Sequence, residues 1–148
     1  MHAVAFVPQR KKPRNMKTTS HPQKSKIRNG LINGYFRDGT FSSVGKYKDG
    51  KKTGTWKYYL RNGLVRAVGK YSQGTMTGTW KWYREGGRLW QVGTFDANKK
   101  SGPWKRYHPN GKLYDAGRFI DNEKSGVWQM YDVNGTLRKT KKYRIPKS

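Results

Sequence analysis

Residues 54–77 read Gly-Thr-Trp-Lys-Tyr-Tyr-Leu-Arg-Asn-Gly-Leu-Val-Arg-Ala-Val-Gly-Lys-Tyr-Ser-Gln-Gly-Thr-Met-Thr, and at Gly78 the pattern begins again. Gly-x-Trp recurs at Gly54/Trp56, Gly78/Trp80, Gly102/Trp104 and Gly126/Trp128, a constant step of 24 residues. Gly-x-aromatic keeps the same step at Gly45/Tyr47, Gly69/Tyr71, Gly93/Phe95 and Gly117/Phe119. Tyrosines stand at Tyr35, Tyr59, Tyr83, Tyr107 and Tyr131, and a third glycine column runs through Gly39, Gly63, Gly87, Gly111 and Gly135. Gly30, Ile32 and Tyr35 form a degraded first copy, and Tyr143 closes the series. Such a fixed period marks a repeat architecture.

Asp38, Asn62, Asn110 and Asn134 precede glycines of the third column. Asn-Gly or Asp-Gly between short aromatic and β-branched runs is the strongest short-range hairpin signal, because both central residues of a type I′ turn need positive φ. Each repeat is therefore predicted as one hairpin: a strand such as Thr55 to Leu60, a two-residue turn at Asn62-Gly63, and a return strand from Val65 to Tyr71. The next connection holds Gly74, matched by Gly50, Asn98 and Asn122, all suited to positive φ. No segment has helical periodicity. The expected fold is all-β, a single elongated antiparallel β-meander of 24-residue hairpins in which each repeat contacts mainly its neighbours. Residues 1–29 read as a basic, unstructured or extended N-terminal arm, 30–137 as the repeats, and 138–148 as a basic C-terminal tail.

The series Gly-x-Trp-x-x-Tyr, then x-Asn-Gly-x-Leu, then Gly-x-Tyr or Phe resembles the MORN-type repeat. The 24-residue spacing is similar to the variant found in bacterial antitoxin-like proteins, over residues 30 to 143. The resemblance implies a hairpin-repeat fold used as a binding scaffold for proteins, lipids or other partners, and its antitoxin members imply a toxin-neutralising protein partner.

Composition alone points elsewhere. Leu, Ile, Val and Phe make up about 16% of the 148 residues, and the net charge is +25, a pairing typical of disordered chains. Six Trp and ten Tyr oppose that reading, since each buries a large area, and their place in the repeat columns gives the chain its order. The absence of Cys excludes disulfides, thiolate metal sites and cysteine nucleophiles. No apolar run approaches the roughly 20 residues of a membrane-spanning helix. The apolar start Ala3 to Val7 precedes the basic residues, the reverse of a secretory signal, so a cytoplasmic location is expected, with organellar import left open by the acid-free first 30 residues.

Nothing in the sequence reads as an enzyme. His2, His21 and His108 show no metal-ligand spacing, and no nucleophile elbow or phosphate loop occurs. The acids are scattered, so no catalytic residue, metal or cofactor is expected.

Alternation along the strands divides the side chains between two faces. With a two-residue turn, Trp56 pairs with Gly69 and Lys57 with Val68, and placing Tyr71 opposite Gly78 sets Gly69 beside Trp80 as well. Trp56, Tyr58, Val65, Ala67 and Tyr71 then share a core face with Trp80, Trp82, Leu89, Phe95, Trp104, Leu113 and Phe119. The opposite face collects Lys57, Tyr59, Arg66 and Lys70, then Lys81, Tyr83 and Trp90, then Lys105, Tyr107, Tyr114 and Arg118.

Cations interleaved with aromatics suit sequence-tolerant single-strand or loop RNA binding, where phosphates are neutralised and bases stack. The arms add Arg10, Lys11, Lys12, Arg14, Lys17, Lys24, Lys26 and Arg28 before the repeats, and Arg138, Lys139, Lys141, Lys142, Arg144 and Lys147 after them. The charge thus divides into +8, +6 and, on the repeats, +11. The expected function is non-enzymatic nucleic-acid binding, with RNA or a ribonucleoprotein ahead of duplex DNA because no helix offers itself to a major groove. The alternative is a protein-interaction module, antitoxin-like or inhibitory, that docks an acidic protein. A scaffold for anionic lipid ranks third, since the chain has no amphipathic helix or lipidation motif.

Overall fold

The computed structural model describes residues 29–147. Ten strands follow one another: β1 (Gly30–Tyr35), β2 (Phe41–Lys48), β3 (Lys51–Tyr59), β4 (Val65–Ser72), β5 (Thr75–Tyr83), β6 (Leu89–Asp96), β7 (Lys99–Tyr107), β8 (Leu113–Ile120), β9 (Glu123–Tyr131) and β10 (Leu137–Tyr143). They pair antiparallel in sequence order in one open sheet, the expected meander. The boundary drawn at residue 138 falls inside β10, so the first part of the basic tail is sheet. The N-terminal arm cations, Arg10 to Arg28, lie outside the described residues.

Two kinds of turn alternate, and the type I′ turn expected at Asn-Gly lies instead between repeats. Between repeats, Asp49-Gly50, Gln73-Gly74, Ala97-Asn98 and Asp121-Asn122 carry positive φ at both residues, the type I′ requirement. The Asn-Gly loops are longer. Leu60 N donates to Leu64 O at 2.8 Å and Gly63 N to Leu60 O at 3.0 Å, enclosing the three residues Arg61-Asn62-Gly63, of which only Gly63 has positive φ.

A three-residue loop would displace the whole hairpin register by one, yet Tyr58 pairs with Ala67, Lys57 with Val68 and Trp56 with Gly69 as the shorter turn implied. A bulge restores the register: Tyr59 pairs with Val65, and Arg66 is the extra residue. The same irregularity occurs in all five hairpins. Its consequence is local, because the residues between bulge and loop exchange faces relative to expectation.

A second irregularity joins neighbouring hairpins. Tyr71 lies opposite Met76, not Gly78, and the register jumps between Val68↔Lys81 and Lys70↔Thr77. Gly78, at φ 67°, absorbs the bend. The extra length carries Trp80 across Gly69, where an added Cβ would overlap the indole ring. Indole Nε1 donates to Lys70 O at 3.1 Å. Trp56 on Gly45, Trp104 on Gly93 and Trp128 on Gly117 repeat the seat and the hydrogen bond.

These four indoles are nearly the whole buried core, each between 2% and 7% exposed. Tyr47, Tyr71, Phe95, Phe119 and Tyr143 meet them edge-on, while Trp56, Tyr58, Trp80, Trp82 and Trp104 stack in a row with centroids 5.6 to 6.4 Å apart. Offset and edge contacts suit the aromatic quadrupole and add to the area buried. The series has ends. Ile32 replaces the first tryptophan, and Lys141 occupies the position where a further glycine seat would fall. Its side chain extends over Tyr143 at 4.8 Å, so the last seat is filled and the exposed edge strand is lysine-rich, which discourages further pairing.

Candidate nucleic-acid interface

Lys57, Lys81 and Lys105 stand exposed on the sheet face opposite the indoles. Their cross-strand partners are Val68, Val92 and Ala116, half-buried apolar residues that bring no charge of their own. Alternate strands of a sheet lie about 9–10 Å apart, which sets the spacing of this row. Lys46, Lys70 and Arg118 share the face by alternation and are also exposed.

All eight acids fall outside the ribbon. Asp38, Asp49, Glu85, Asp121 and Asp132 lie in turns, Asp96 and Glu123 at strand ends, and Asp115 is buried on the indole face. Among the described residues the ion pairs are Arg106–Asp115 and Arg138–Asp132, so no ribbon cation is neutralised.

The tyrosine column differs from expectation. Tyr59 is only 5% exposed, Tyr83 and Tyr107 are half-buried, and burial pushes the Tyr59 hydroxyl above its ordinary pKa. These rings pair with Val65, Leu89 and Leu113, which the bulge has moved away from the indoles. Tyr59 is packing at the loop end of its hairpin, while Tyr83 stays partly open and Tyr107 borders a cleft described below.

The bulge moves Arg66, Trp90 and Tyr114 the other way, onto the indole side. Arg66 lies over Tyr58 at 5.8 Å, Arg84 over Trp90 at 6.0 Å, and Tyr114 between Arg106 at 5.0 Å and His108 at 4.9 Å. Arg138, in the same column, is held by Asp132, whose carboxyl is kept below its usual range by the Thr136 backbone N–H and by Arg138 itself. In β10, Lys139 and Lys141 pair with Met130 and Trp128, Lys142 pairs with Val127, and exposed Arg144 follows the strand.

The indole face holds cations that the sequence reading passed over. Lys52, Lys100 and Lys124 place Nζ 4.7 to 4.8 Å above Trp56, Trp104 and Trp128. Each lies two residues before a Gly-x-Trp, so the 24-residue step already marked them. Lys52 Nζ also donates to Tyr58 Oη at 2.9 Å, and Tyr58 Oη lies 2.8 Å from Tyr71 Oη. Burial and that hydroxyl contact push Tyr71 up to about 12.

The aromatic stack ends at the β7–β8 hairpin, and Met130 holds the equivalent position in the hairpin after it. Arg106 replaces Tyr58 and Trp82, and its cross-strand partner is Asp115, where earlier repeats have Ala67 and Gln91. The guanidinium donates Nε to Oδ1 at 3.0 Å and Nη2 to Oδ2 at 2.6 Å. Asp115 is 2% exposed, and its hydrogen bond raises the Arg106 pKa. Two simultaneous changes of opposite charge in paired columns are the signal that would have found this pair.

Between the loop ends of β5–β6 and β7–β8 lies a cleft of about 200 Å³, bordered by Arg84, Trp90, Arg106, His108 and Tyr114. Arg84 Nη2 donates to Tyr107 O at 2.9 Å, and His108 Nε2 lies 2.9 Å from Tyr131 O.

A single sheet of hairpins, joined by indoles seated on the preceding repeat's glycines, defines a β-hairpin repeat scaffold. Residues 100–121 match the family model described as MORN repeat variant, and that segment is one copy of the unit repeated along the sheet. Over that segment the chain is similar to the MORN repeat variant, and the same residue pattern recurs along the sheet. No curated protein matches it. Among solved structures it is similar to a mutant of S. aureus TarM in complex with fondaparinux, alpha-GlcNAc-glycerol and UDP. The identity is 7% and the TM-score 0.40, over 69% of this chain and 22% of that one, a likeness that carries no argument.

Proposed function

We propose that this protein is a non-enzymatic nucleic-acid-binding module whose sheet takes the sugar-phosphate backbone of a single strand, RNA in the first instance. The supporting observation is the acid-free ribbon of Lys57, Lys81 and Lys105 with Lys46, Lys70 and Arg118 beside it. A row of unpaired ammonium groups on an extended surface is suited to phosphates, each of which releases condensed counterions when neutralised. The basic N-terminal residues would add to this attraction. With Tyr59 buried and Tyr83 and Tyr107 only partly open, phosphate contacts carry most of the affinity along the sheet, so binding there is tolerant of sequence.

Titration of the full chain with single-stranded RNA, duplex DNA and anionic vesicles across a salt series tests the reading. Dissociation constants tighter than about 10 µM for RNA at physiological salt are expected, with a steep log–log salt slope. Replacing Lys57, Lys81 and Lys105 together by Glu should weaken binding strongly and lower that slope by at least about 2. Failure to bind any nucleic acid would defeat the proposal.

A second reading has its own observation. The last hairpin exposes Val127 at 50%, Val133 at 54% and Leu137 at 46%, apolar surface that suits an acidic protein with a hydrophobic contact better than it suits a polynucleotide. Under that reading the Glu triple abolishes capture of the protein partner, and RNA does not compete.

A further inference from the structure

We infer that the cleft between the loop ends of β5–β6 and β7–β8, on the indole side of the sheet, seats one nucleobase where the strand leaves the basic ribbon and passes round the hairpin loops, with Trp90 as the stacking surface and Arg84 as the donor to the base edge. The inference rests on the proposed nucleic-acid function and adds to it a place where bases are contacted.

Trp90 is 41% exposed, whereas Trp56, Trp80, Trp104 and Trp128 are buried in their glycine seats and Trp82 is half-buried in the stack. It is the one tryptophan with a large open surface, and it borders a concave space of about 200 Å³. A flat ring entering that space can stack on the indole, an interaction every base can make. Tyr114 forms a second aromatic wall, held between Arg106 and His108.

Arg84 supplies the polar contact. Its Nη2 is fixed by Tyr107 O at 2.9 Å, and its guanidinium lies 6.0 Å from the Trp90 ring. Arg84 lines the cleft, so a base whose ring covers the indole brings the acceptors on its edge toward the planar guanidinium.

The site belongs to this pair of hairpins. At the position of Trp90 the other hairpins have Ser42, Arg66, Tyr114 and Arg138, and at that of Arg84 they have Phe36, Leu60, His108 and Asp132. Among the described residues, Trp90 is the exposed tryptophan, and Arg84 borders the same cleft.

The test compares binding of the full chain to a 12-nucleotide RNA, about the span of such a groove, and to an abasic ribose-phosphate oligomer of equal length. The wild type should prefer the base-bearing strand about tenfold. Trp90→Ala should remove the preference while leaving abasic affinity unchanged, and Trp90→Phe should restore most of it. Arg84→Lys, which keeps the charge but lacks the planar donor edge, should lower the preference. Photocrosslinking of wild-type protein to RNA carrying 5-iodouridine should label Trp90 or Tyr114, independently of how any variant folds. Equal wild-type affinity for the two oligomers, a preference that survives Trp90→Ala, or crosslinks confined to other segments would overturn the base seat while leaving phosphate binding standing. Loss of both oligomers would overturn the nucleic-acid reading itself.

Discussion

Trp80 rests on Gly69 of the preceding hairpin and donates its indole N–H to the carbonyl of Lys70 at 3.1 Å, so one side chain joins two repeats by shape and by hydrogen bond. A methyl group at Gly69 would occupy the ring's space, and the ring is held by Tyr71, Tyr58 and Trp82 around it. Gly69→Ala is expected to destabilise the fold by about 3 kcal/mol, at the upper end of overpacking effects. Trp80→Ala should cost about 3–5 kcal/mol. Urea unfolding midpoints check both, and an unchanged midpoint for Gly69→Ala would mean that the seat is not needed.

Arg106 and Asp115 form a pair whose acid is almost wholly buried while the guanidinium side chain remains 42% exposed. Arg106→Ala leaves a buried carboxylate without its counter-ion and should cost about 2–3 kcal/mol, less than a fully buried pair because water reaches the arginine. The double change Arg106→Trp with Asp115→Gln installs the Trp82/Gln91 pair of the preceding repeat and should recover most of that loss. Thermal denaturation of the three proteins decides the matter.

Ala97 holds φ 45° at the first position of a type I′ turn where the other repeats have Asp49, Gln73 and Asp121. A Cβ in the left-handed region is strained, and Asn tolerates that region best among residues with side chains. Ala97→Asn is expected to stabilise the protein by about 0.5–1 kcal/mol. A lowered melting temperature would contradict the turn assignment.

Tyr71 is pushed up from 10.0 to about 12, first by burial and then by its contact with Tyr58, whose own hydroxyl is also raised. The folded chain therefore keeps a proton that the unfolded chain releases, so the stability from this group is complete below pH about 10 and falls as pH rises toward about 12. Unfolding midpoints across that range should decline, and Tyr71→Phe, which has no hydroxyl to ionise, should flatten the decline.

Much of the architecture was legible in the order of residues. The step from Trp56 to Trp80 to Trp104 to Trp128, and the glycines at 45, 69, 93 and 117, announced a meander in which indoles sit on strand glycines. The lysine row at 57, 81 and 105 was equally legible, because it lies in the middle of the strands, where the register matches that of a two-residue turn. The loop ends were not. Asn62-Gly63 suggested a type I′ turn, but the chain uses a three-residue loop and cancels the extra residue with a bulge beside Tyr59.

That pair of compensating irregularities leaves no mark on the repeat period, since loop and bulge together span the same number of residues as a shorter turn with regular strands. It does change which way Arg66, Trp90 and Tyr114 point, and it packs Tyr59 against Val65. Sequence by itself therefore determined the repeat, the pairing order, the indole seats and the basic ribbon, all of which follow from period and alternation. Only the tertiary structure decided which aromatics are open to a ligand, because exposure depends on where the backbone spends one extra residue, and a single step along a strand exchanges its faces.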